Sequence, residues 1–206
     1  MTLPTVPTQK IAPLIEARRT FTRQRLSDAA RRTFFHRGFA RSTMEEIARA
    51  AGARRSTLYL HFRDKDELLT AIAEEYAIKL AEVMGDLEGP HPSRDEIDVW
   101  IMNVAMFVSK EMTPTVLLLD LGGVMDVPPA VRELGMTLLR TLAVQLPAFR
   151  KALEPGSEQG LAVARASIAL RELCLAALHH ARHPGEPSRD VLTAAGELFE
   201  HFVCNR

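Results

Sequence analysis

Residues 43–62 read TMEEIARAAGARRSTLYLHF. Thr43 and Glu46 have the spacing of a capping box, in which two side chains satisfy the free N–H groups of a helix start. Apolar residues then recur on one helical face as far as Gly52, where a tight turn needs a residue that tolerates positive φ. A second short helix is predicted from Arg54 to Leu60. Two short helices joined by a glycine-containing turn are typical of a helix-turn-helix.

The second of these helices carries side chains that bond phosphates and base edges in a major groove. The distribution of charge agrees with such a partner. Residues 1–63 hold 13 Lys and Arg against 4 Asp and Glu, a net of +9, whereas residues 64–206 hold 13 against 22, a net of −9. The N-terminal part therefore attracts a polyanion although the whole chain is neutral, which predicts double-stranded DNA as a partner.

The segments GFARSTMEEIARAAG (38–52) and TLYLHFRDKDELL (57–69) occur in the order, spacing and capping pattern of a known family. The chain resembles the TetR/AcrR family of helix-turn-helix transcriptional regulators over residues 19–76. Arg54 stands where that family usually has a Ser or Thr cap, and Ser56 stands where Gly is frequent. These two departures bear on which operator sequence is read, and they do not affect how the protein binds DNA. Donor chemistry and the resemblance together predict the following DNA-binding residues: Thr43, Arg54, Arg55, Ser56, Thr57, Tyr59, His61 and Lys65.

Helical periodicity continues through the chain without a strand pattern or a repeat, and it predicts an all-α fold of about nine helices. We expect a mobile N-terminal arm (1–18), a helix-turn-helix domain of three helices (19–63), a linker helix (64–84) and a helical ligand-binding and dimerisation domain (85–206). The first full helix should start at Thr20. Arg18 and Arg19 either reach a minor groove or belong to a solvated tail. Caps are predicted at Asp64, Thr113-Pro114, Pro128-Pro129, Ser157 and Ser188.

The last helix is apolar on more than one face, through Val191, Leu192, Ala195, Leu198, Phe199, Phe202 and Val203. One such face packs inside the subunit, and the other requires a partner. The sequence predicts a homodimer through residues 158–183 and 188–203, built as a four-helix bundle. The resembling family dimerises in the same way. The alternative is a larger monomeric core.

The region between the linker helix and the dimerisation helices is rich in methionine, which suits a loosely shaped apolar site. The resembling family keeps its ligand pocket there. The predicted ligand-binding residues are Trp100, Met102, Met106, Phe107, Asp120, Met125 and Met136. Taken singly, each apolar member is more often ordinary core than pocket wall. Asp120 is either a polar anchor in the pocket or a solvent-facing residue.

Several other functions find no support in the residues. The chain has no phosphate-binding loop, no nucleophile elbow and no paired catalytic carboxylates, so we predict no enzyme activity. His179 and His183 have the spacing of two metal ligands, but no third ligand lies nearby, and we predict no metal and no cofactor. Cys174 and Cys204 are interpreted as buried, reduced thiols, with a redox switch as the alternative. No segment resembles a signal peptide or a membrane span, and we expect a cytoplasmic protein.

These observations together predict a ligand-responsive transcriptional regulator that acts as a repressor. It would bind a palindromic operator as a dimer and be released by a small apolar or aromatic molecule. The alternative is a helical small-molecule binding protein whose N-terminal helices do not read DNA.

Overall fold

The computed structural model describes residues 11–87, 89–123, 126–156 and 158–204. Within these residues all regular secondary structure is helical, which confirms the predicted all-α class. Ten helices occur: α1 (Ile11–Arg37), α2 (Met44–Ala50), α3 (Arg55–His61), α4 (Lys65–Met84), α5 (Arg94–Lys110), α6 (Met112–Gly122), α7 (Pro129–Gln145), α8 (Pro147–Leu153), α9 (Gln159–Arg182) and α10 (Glu186–Cys204). None of these described helices is long and apolar enough to cross a membrane.

The chain divides into two compact units, Met1–Leu69 and Thr70–Arg206, which are called the N-terminal and C-terminal units below. The finer division into an arm, a three-helix domain, a linker helix and a ligand-binding domain stays a prediction. In the N-terminal unit α2 packs against α1 and α3. In the C-terminal unit α9 contacts every helix from α5 to α8 and also α10, so it forms the centre of that unit.

α1 begins at Ile11, which corrects the predicted start at Thr20 and makes residues 11–18 of the predicted arm helical. Pro13 lies in the first turn, where no intrahelical N–H bond is lost. Residues 1–10, the rest of that predicted arm, lie outside the described residues. Apolar periodicity predicts that the inner face of this helix consists of Leu26, Ala29, Ala30, Thr33 and Phe34, and the burial of these residues confirms it.

The described residues form one helix more than the nine predicted from the sequence. α7 ends at Gln145, and Pro147 starts α8 directly afterwards, because the first position of a helix needs no N–H donor. Leu146 serves as the C-cap of α7 and the N-cap of α8. Phe149 and Ala152 are the buried residues of this seven-residue helix. The helical periodicity that starts at Pro129 predicts a helix running until Pro147, and the structure shows that this proline also begins the next helix.

Three predicted caps have different outcomes. Pro128-Pro129 is confirmed as the N-cap and first residue of α7. Thr113 was predicted wrongly, because α6 already begins at Met112 with Glu111 as its N-cap. Ser188 was also predicted wrongly, because α10 begins at Glu186 and the buried Ser188 hydroxyl donates to the carbonyl of Gly185 at 2.8 Å. Ser157 lies outside the described residues.

The start of α4 forms a capping box only in part. The carboxylate of Asp64 accepts the N–H of Glu67 at 2.8 Å, and this bond is the main reason that the pKa of Asp64 is lowered. The carboxylate of Glu67, however, accepts the N–H of Arg63 at 2.7 Å. The N–H groups of Glu67 and Arg63 are therefore both hydrogen-bonded, and α4 starts where the sequence predicted. In a complete capping box the carboxylate of Glu67 would accept the N–H of Asp64 instead of that of Arg63.

The core of the C-terminal unit includes an aromatic cluster. Ring centroids are 4.9 Å apart for Trp100 and Phe199, 5.9 Å for Phe149 and Phe199, and 5.0 Å for Phe149 and Phe202. The apolar periodicity of α5 predicts a buried stripe of Ile97, Trp100, Ile101, Val104 and Val108, and the structure confirms it. The width of that stripe also predicts burial of Val99, Met102 and Met106, which is wrong: all three are exposed, because α9 and α10 cover only the other face.

Candidate nucleic-acid interface and ligand cavity

The start of α2 is held by the predicted capping box. Thr43 Oγ1 accepts the N–H of Glu46 at 3.3 Å, and the N–H of Thr43 donates to Glu46 Oε2 at 3.0 Å. The hydrogen bond from the N–H of Thr43 is the largest cause of the lowered pKa of Glu46, so the carboxylate is ionised. Gly52 has φ +60°, as the tight turn before α3 requires. The Thr43 hydroxyl is exposed and keeps its own hydrogen for a further acceptor.

α3 is anchored by one buried leucine, and most of its polar residues face outward. Leu58 is fully buried, as is Phe62 just beyond the helix. Arg54, Arg55, Ser56 and Tyr59 are exposed, whereas Thr57 and His61 are half-buried. Leu60 is the apolar exception, because its side chain is 79% exposed. The predicted DNA-binding residues of α3 therefore share one accessible surface, which we call the α3 face.

Arg55 is held in place by Tyr59, one helical turn further on. Arg55 Nη2 donates to Tyr59 Oη at 3.4 Å, and its guanidinium lies 5.4 Å from the centre of the Tyr59 ring. Arg54 is the N-cap residue of α3, but its side chain makes no capping hydrogen bond. Among the described residues the Arg54 guanidinium has no hydrogen-bond or ion-pair partner, so it is available to an external acceptor.

Lys65 has a structural role that its position in the sequence does not reveal. Its ammonium donates to the carbonyl of Phe39 at 2.9 Å and to that of Ala40 at 3.1 Å, and it lies 4.9 Å from the centre of the Phe39 ring. Two of the three ammonium donors are therefore used to fix the loop between α1 and α2. The third donor remains for a phosphate, which keeps Lys65 among the candidate contacts.

A polar cleft in the N-terminal unit brings His61 together with residues of α1. Its walls are Glu16, Arg19, Thr20, Arg23 and His61. Arg23 Nη1 donates to the carbonyl of His61 at 2.8 Å. Arg19 and Arg23 were missing from the predicted DNA-binding set. The sequence placed Arg19 in the arm before the helix and Arg23 on the outer face of the helix, so nothing linked the two to each other or to His61. An earlier helix start places these two arginines one turn apart, on the side that faces the end of α3.

The imidazole of His61 carries a lowered pKa, chiefly because of its burial and then because of the charges of Arg19 and Arg23. A lowered pKa means that the folded state binds fewer protons than the unfolded state, so stability rises with pH. We expect the melting temperature of the wild type to fall relative to that of a His61→Gln variant as the pH drops below about 6.5. Circular dichroism melts of both proteins over this range test the prediction. A constant difference between the two curves would contradict it.

The C-terminal unit contains a cavity of about 160 Å³ between α4, α6, α7 and α9. Its walls are mainly leucines, among them Leu80, Leu118, Leu134, Leu138 and Leu170. The cavity opens to solvent beside Ser167 and Arg171, which are exposed residues of α9. An apolar cavity of this kind suits an apolar molecule of matching size.

A hydroxyl pair closes the inner side of the cavity. Tyr76 Oη and Thr115 Oγ1 are 2.8 Å apart, and the Thr115 hydroxyl donates to the carbonyl of Glu111 at 2.7 Å. Because Thr115 has only one hydrogen, Tyr76 must be the donor between the two hydroxyls. Burial raises the pKa of Tyr76 and raises that of Cys174 to about 12, so both side chains are neutral at physiological pH.

Gly135 enlarges the cavity from the middle of α7. A glycine inside a helix is about 0.5–1 kcal/mol less favourable than alanine. No packing neighbour requires it here, because a Cβ at this position would meet no heavy atom within 4 Å. The missing side chain leaves free volume in a wall of the cavity.

The predicted ligand-binding residues lie elsewhere in the C-terminal unit, and none of those that the structure describes lines this cavity. Trp100 is buried, and its Nε1 donates to the carbonyl of Val83 at 3.2 Å. Phe107 and Met136 are half-buried, whereas Met102, Met106 and Asp120 are exposed. Met125 lies outside the described residues. A high methionine content was therefore a poor guide to the cavity, and its leucine-rich helices carried no signal that separates a cavity wall from core.

The helices of the predicted dimer interface keep apolar residues exposed. On α9 these are Leu161 at 51% and Ile168 at 61%, and on α10 they are Val191 at 41% and Leu198 at 66%. Phe202, by contrast, packs on Phe149 of its own subunit. The two helices also contact each other. The excess apolar surface of α9 and α10 is thus real, but Phe202 is not part of it.

The remaining histidines and cysteines near these helices have ordinary surroundings. The rings of His179 and His183 are 5.4 Å apart, and His180 Nδ1 hydrogen-bonds the Ser188 hydroxyl at 2.9 Å. Cys174 is buried as predicted, but Cys204 is exposed. The apolar pattern around Cys204 did not predict its exposure, because α10 ends there.

The fold and the site together define a helical protein with a helix-turn-helix in one unit and an apolar cavity in the other. Residues 26–72 match the family model described as bacterial regulatory proteins, tetR family. The HTH-type transcriptional regulator TtgR of Pseudomonas putida is 39% identical over 77 residues, which are 37% of this chain and 35% of that protein. The HTH-type transcriptional repressor AcnR of Corynebacterium glutamicum is 31% identical over 99 residues, 45% of this chain and 52% of that protein.

A solved structure extends the similarity in fold beyond the helix-turn-helix. The TetR-like transcriptional regulator from Rhodococcus sp. RHA1 has a TM-score of 0.61 and 22% identity, over 89% of this chain and 93% of that one. The sequence alignments cover only 35% and 52% of the lengths of the two relatives named above. The resemblance to the TetR family is therefore confirmed for the helix-turn-helix region, and the fold is confirmed over most of the chain.

Proposed function

We propose that this protein is a ligand-responsive transcriptional repressor that binds a palindromic operator as a homodimer. The observation that carries the proposal is the α3 face, where Arg54, Arg55, Ser56 and Tyr59 are exposed on a helix that the fully buried Leu58 anchors to the N-terminal unit. A helix presented in this way fits a major groove. That the protein represses transcription rather than activating it is supported by the Corynebacterium relative, which is named a transcriptional repressor.

Two further observations support the contacts with the DNA backbone. The exposed Thr43 hydroxyl lies at the start of α2, and the third donor of Lys65 lies at the start of α4. The cleft beside His61 adds two more cations, Arg19 and Arg23. Together with the net charge of +9 on residues 1–63, they supply the electrostatic part of the affinity. This excess of positive charge argues against the alternative in which the N-terminal helices do not read DNA.

The ligand part of the proposal rests on the cavity. An apolar cavity that opens to solvent and is enlarged by Gly135 fits a small apolar molecule. Tyr76 and Leu80, which line it, belong to α4, the helix that also carries Lys65. A ligand that displaces these two side chains acts on the helix that begins at the DNA-binding residues. Occupation of the cavity is expected to lower the affinity for the operator.

The proposed function predicts that Arg55 reads a base. Replacing Arg55 by Ala should weaken binding to the operator by about 1–3 kcal/mol and relax the preference at one position. Gel-shift titrations with the operator and with duplexes that vary at each position measure both effects. The operator itself is obtained by selecting bound sequences from a random duplex library.

A non-cognate duplex serves as the control. If Arg55 contacted only phosphate, the variant would lose affinity for cognate and non-cognate DNA by the same factor. An unchanged affinity for the operator would remove Arg55 from the interface. Failure of the wild type to select any sequence from the library would contradict the proposed function itself.

A further inference from the structure

The mouth of the cavity carries one charge. Of the described residues that line the cavity, Arg171 is the only one with a charged side chain, because Tyr76 and Cys174 are neutral. Within the described part of the chain the Arg171 guanidinium makes no hydrogen bond and no ion pair. A cation held beside an apolar opening, with no carboxylate to balance it, is placed to receive an anion from outside.

The position of this guanidinium is accommodated by the end of α6. Gly123 follows that helix with an ordinary φ of −91°, so its backbone conformation does not require glycine. A Cβ at Gly123 would lie 2.9 Å from Arg171 Nη2. The missing side chain therefore leaves the space that the guanidinium occupies, and any larger residue would push Arg171 away from the mouth.

The opposite side of the cavity disfavours an anion. The Tyr76 hydroxyl gives its hydrogen to Thr115, so its oxygen has only acceptor capacity left for a ligand. The leucine walls offer no donor. A molecule with one charged end must place that end at Arg171 and its apolar body among the leucines, because an unpaired charge inside the cavity is costly.

We propose that the effector is an apolar molecule that carries a single carboxylate, bound with the carboxylate at Arg171 and the apolar body in the cavity. A lone guanidinium neutralises one negative charge, which fits a carboxylate better than a doubly charged phosphate. The inference rests on the proposed function only in treating the cavity as the effector site, and it adds the chemical class of the effector.

The test compares octanoate with octanamide, which has the same chain and a neutral head group. Isothermal titration calorimetry on the full chain, without DNA, measures both affinities. Wild-type protein should bind octanoate roughly tenfold more tightly than octanamide, as expected for a charge-assisted hydrogen bond. Arg171→Gln should lower the octanoate affinity to the octanamide level and leave octanamide unchanged. Arg171→Lys should retain part of the preference, because the charge remains.

Two further variants locate the effect. Arg165→Gln removes an exposed charge from the same helix away from the cavity, and it should preserve the preference for octanoate. Gly135→Leu fills the cavity and should weaken the binding of both probes. Gly135→Ala should weaken it to a smaller extent, and this variant carries the test if the leucine side chain prevents folding. Octanoate binding that persists in both Gly135 variants would place the site elsewhere and overturn the inference.

The outcomes separate the inference from the proposed function. Equal affinities for the two probes in the wild type, or no binding of either, overturn the inference while leaving operator binding untouched. A preference for octanoate that survives in Arg171→Gln overturns it as well. If the Arg171-dependent preference is found in a protein that selects no DNA sequence, the proposed function fails and the assignment of the site stands.

Discussion

Replacing Leu198 by Asp is expected to leave the subunit folded, to convert a dimer into a monomer and to weaken operator binding roughly a hundredfold. Leu198 is 66% exposed in the isolated subunit, so the substitution removes little from its own core. In the proposed dimer the same side chain is covered by a partner, and an aspartate there would be buried without a counter-charge. A two-fold axis places the change on both sides of the interface.

The loss of operator affinity follows from geometry rather than from a lost DNA contact. A dimer binds the second half-site as an intramolecular event, whereas a monomer must bind each half-site independently. Light scattering gives the oligomeric state, and gel-shift titration gives the affinity for a full operator and for a half-site. The affinity for the isolated half-site should be the same in the variant and the wild type.

Two matched variants test whether the effect belongs to the proposed interface. Ile168→Asp, on α9, changes a residue that is 61% exposed and should also dissociate the dimer. Val144→Asp, on α7, changes a residue that is 73% exposed outside the proposed interface, and the protein should remain dimeric. A folded Leu198→Asp protein that stays dimeric, or a monomer that keeps full operator affinity, would refute the interface. Circular dichroism confirms that each variant is folded.

The N-terminal helices could be predicted well because their determinants are local. The capping box of Thr43 and Glu46, the positive φ of Gly52 and the burial of Leu58 each depend on residues within a few positions of one another. Lys65 shows the limit of such reasoning. Its ammonium binds the carbonyls of Phe39 and Ala40, which are far away in sequence, so spacing alone could not reveal the bond.

Some local signals were present and overlooked. Ser93 and Glu96 form a complete capping box at the start of α5, with the same spacing as Thr43 and Glu46. Apolar periodicity alone places the start of that helix at Asp95, whereas the spacing of Ser93 and Glu96 already indicates the start at Arg94. Pro147 was likewise interpreted only as a terminator, although proline is also favoured as the first residue of a helix.

The cavity could not be predicted, because it depends on how the faces of α4, α6, α7 and α9 meet. Leu134 and Leu138 line it, whereas Leu142 on the same helix is buried core outside it. Nothing in the residue type separates them. The free volume becomes visible only when the helices are placed beside one another, and the same holds for Arg171, whose spacing resembles that of any surface residue of α9.

Truncating Phe149 to Ala is expected to lower the free energy of unfolding of the C-terminal unit by about 3–5 kcal/mol. Phe149 is fully buried, and its ring lies 5.9 Å from that of Phe199 and 5.0 Å from that of Phe202. It is also the largest buried residue of α8, a helix of seven residues that is too short to be stable by itself. The variant therefore loses apolar burial and also loosens a helix that contacts α7, α9 and α10.

Urea unfolding followed by tryptophan fluorescence measures this loss in the C-terminal unit. Trp100 is the single tryptophan, and its ring lies 4.9 Å from that of Phe199 within the same cluster. Lys151→Ala, an exposed change on the same helix, should alter the free energy of unfolding by no more than about 0.5 kcal/mol. All proteins are compared at one concentration, because dimerisation adds to the apparent stability. If Phe149→Ala costs as little as Lys151→Ala, α8 is not anchored by its phenylalanine, and the aromatic cluster does not stabilise this unit.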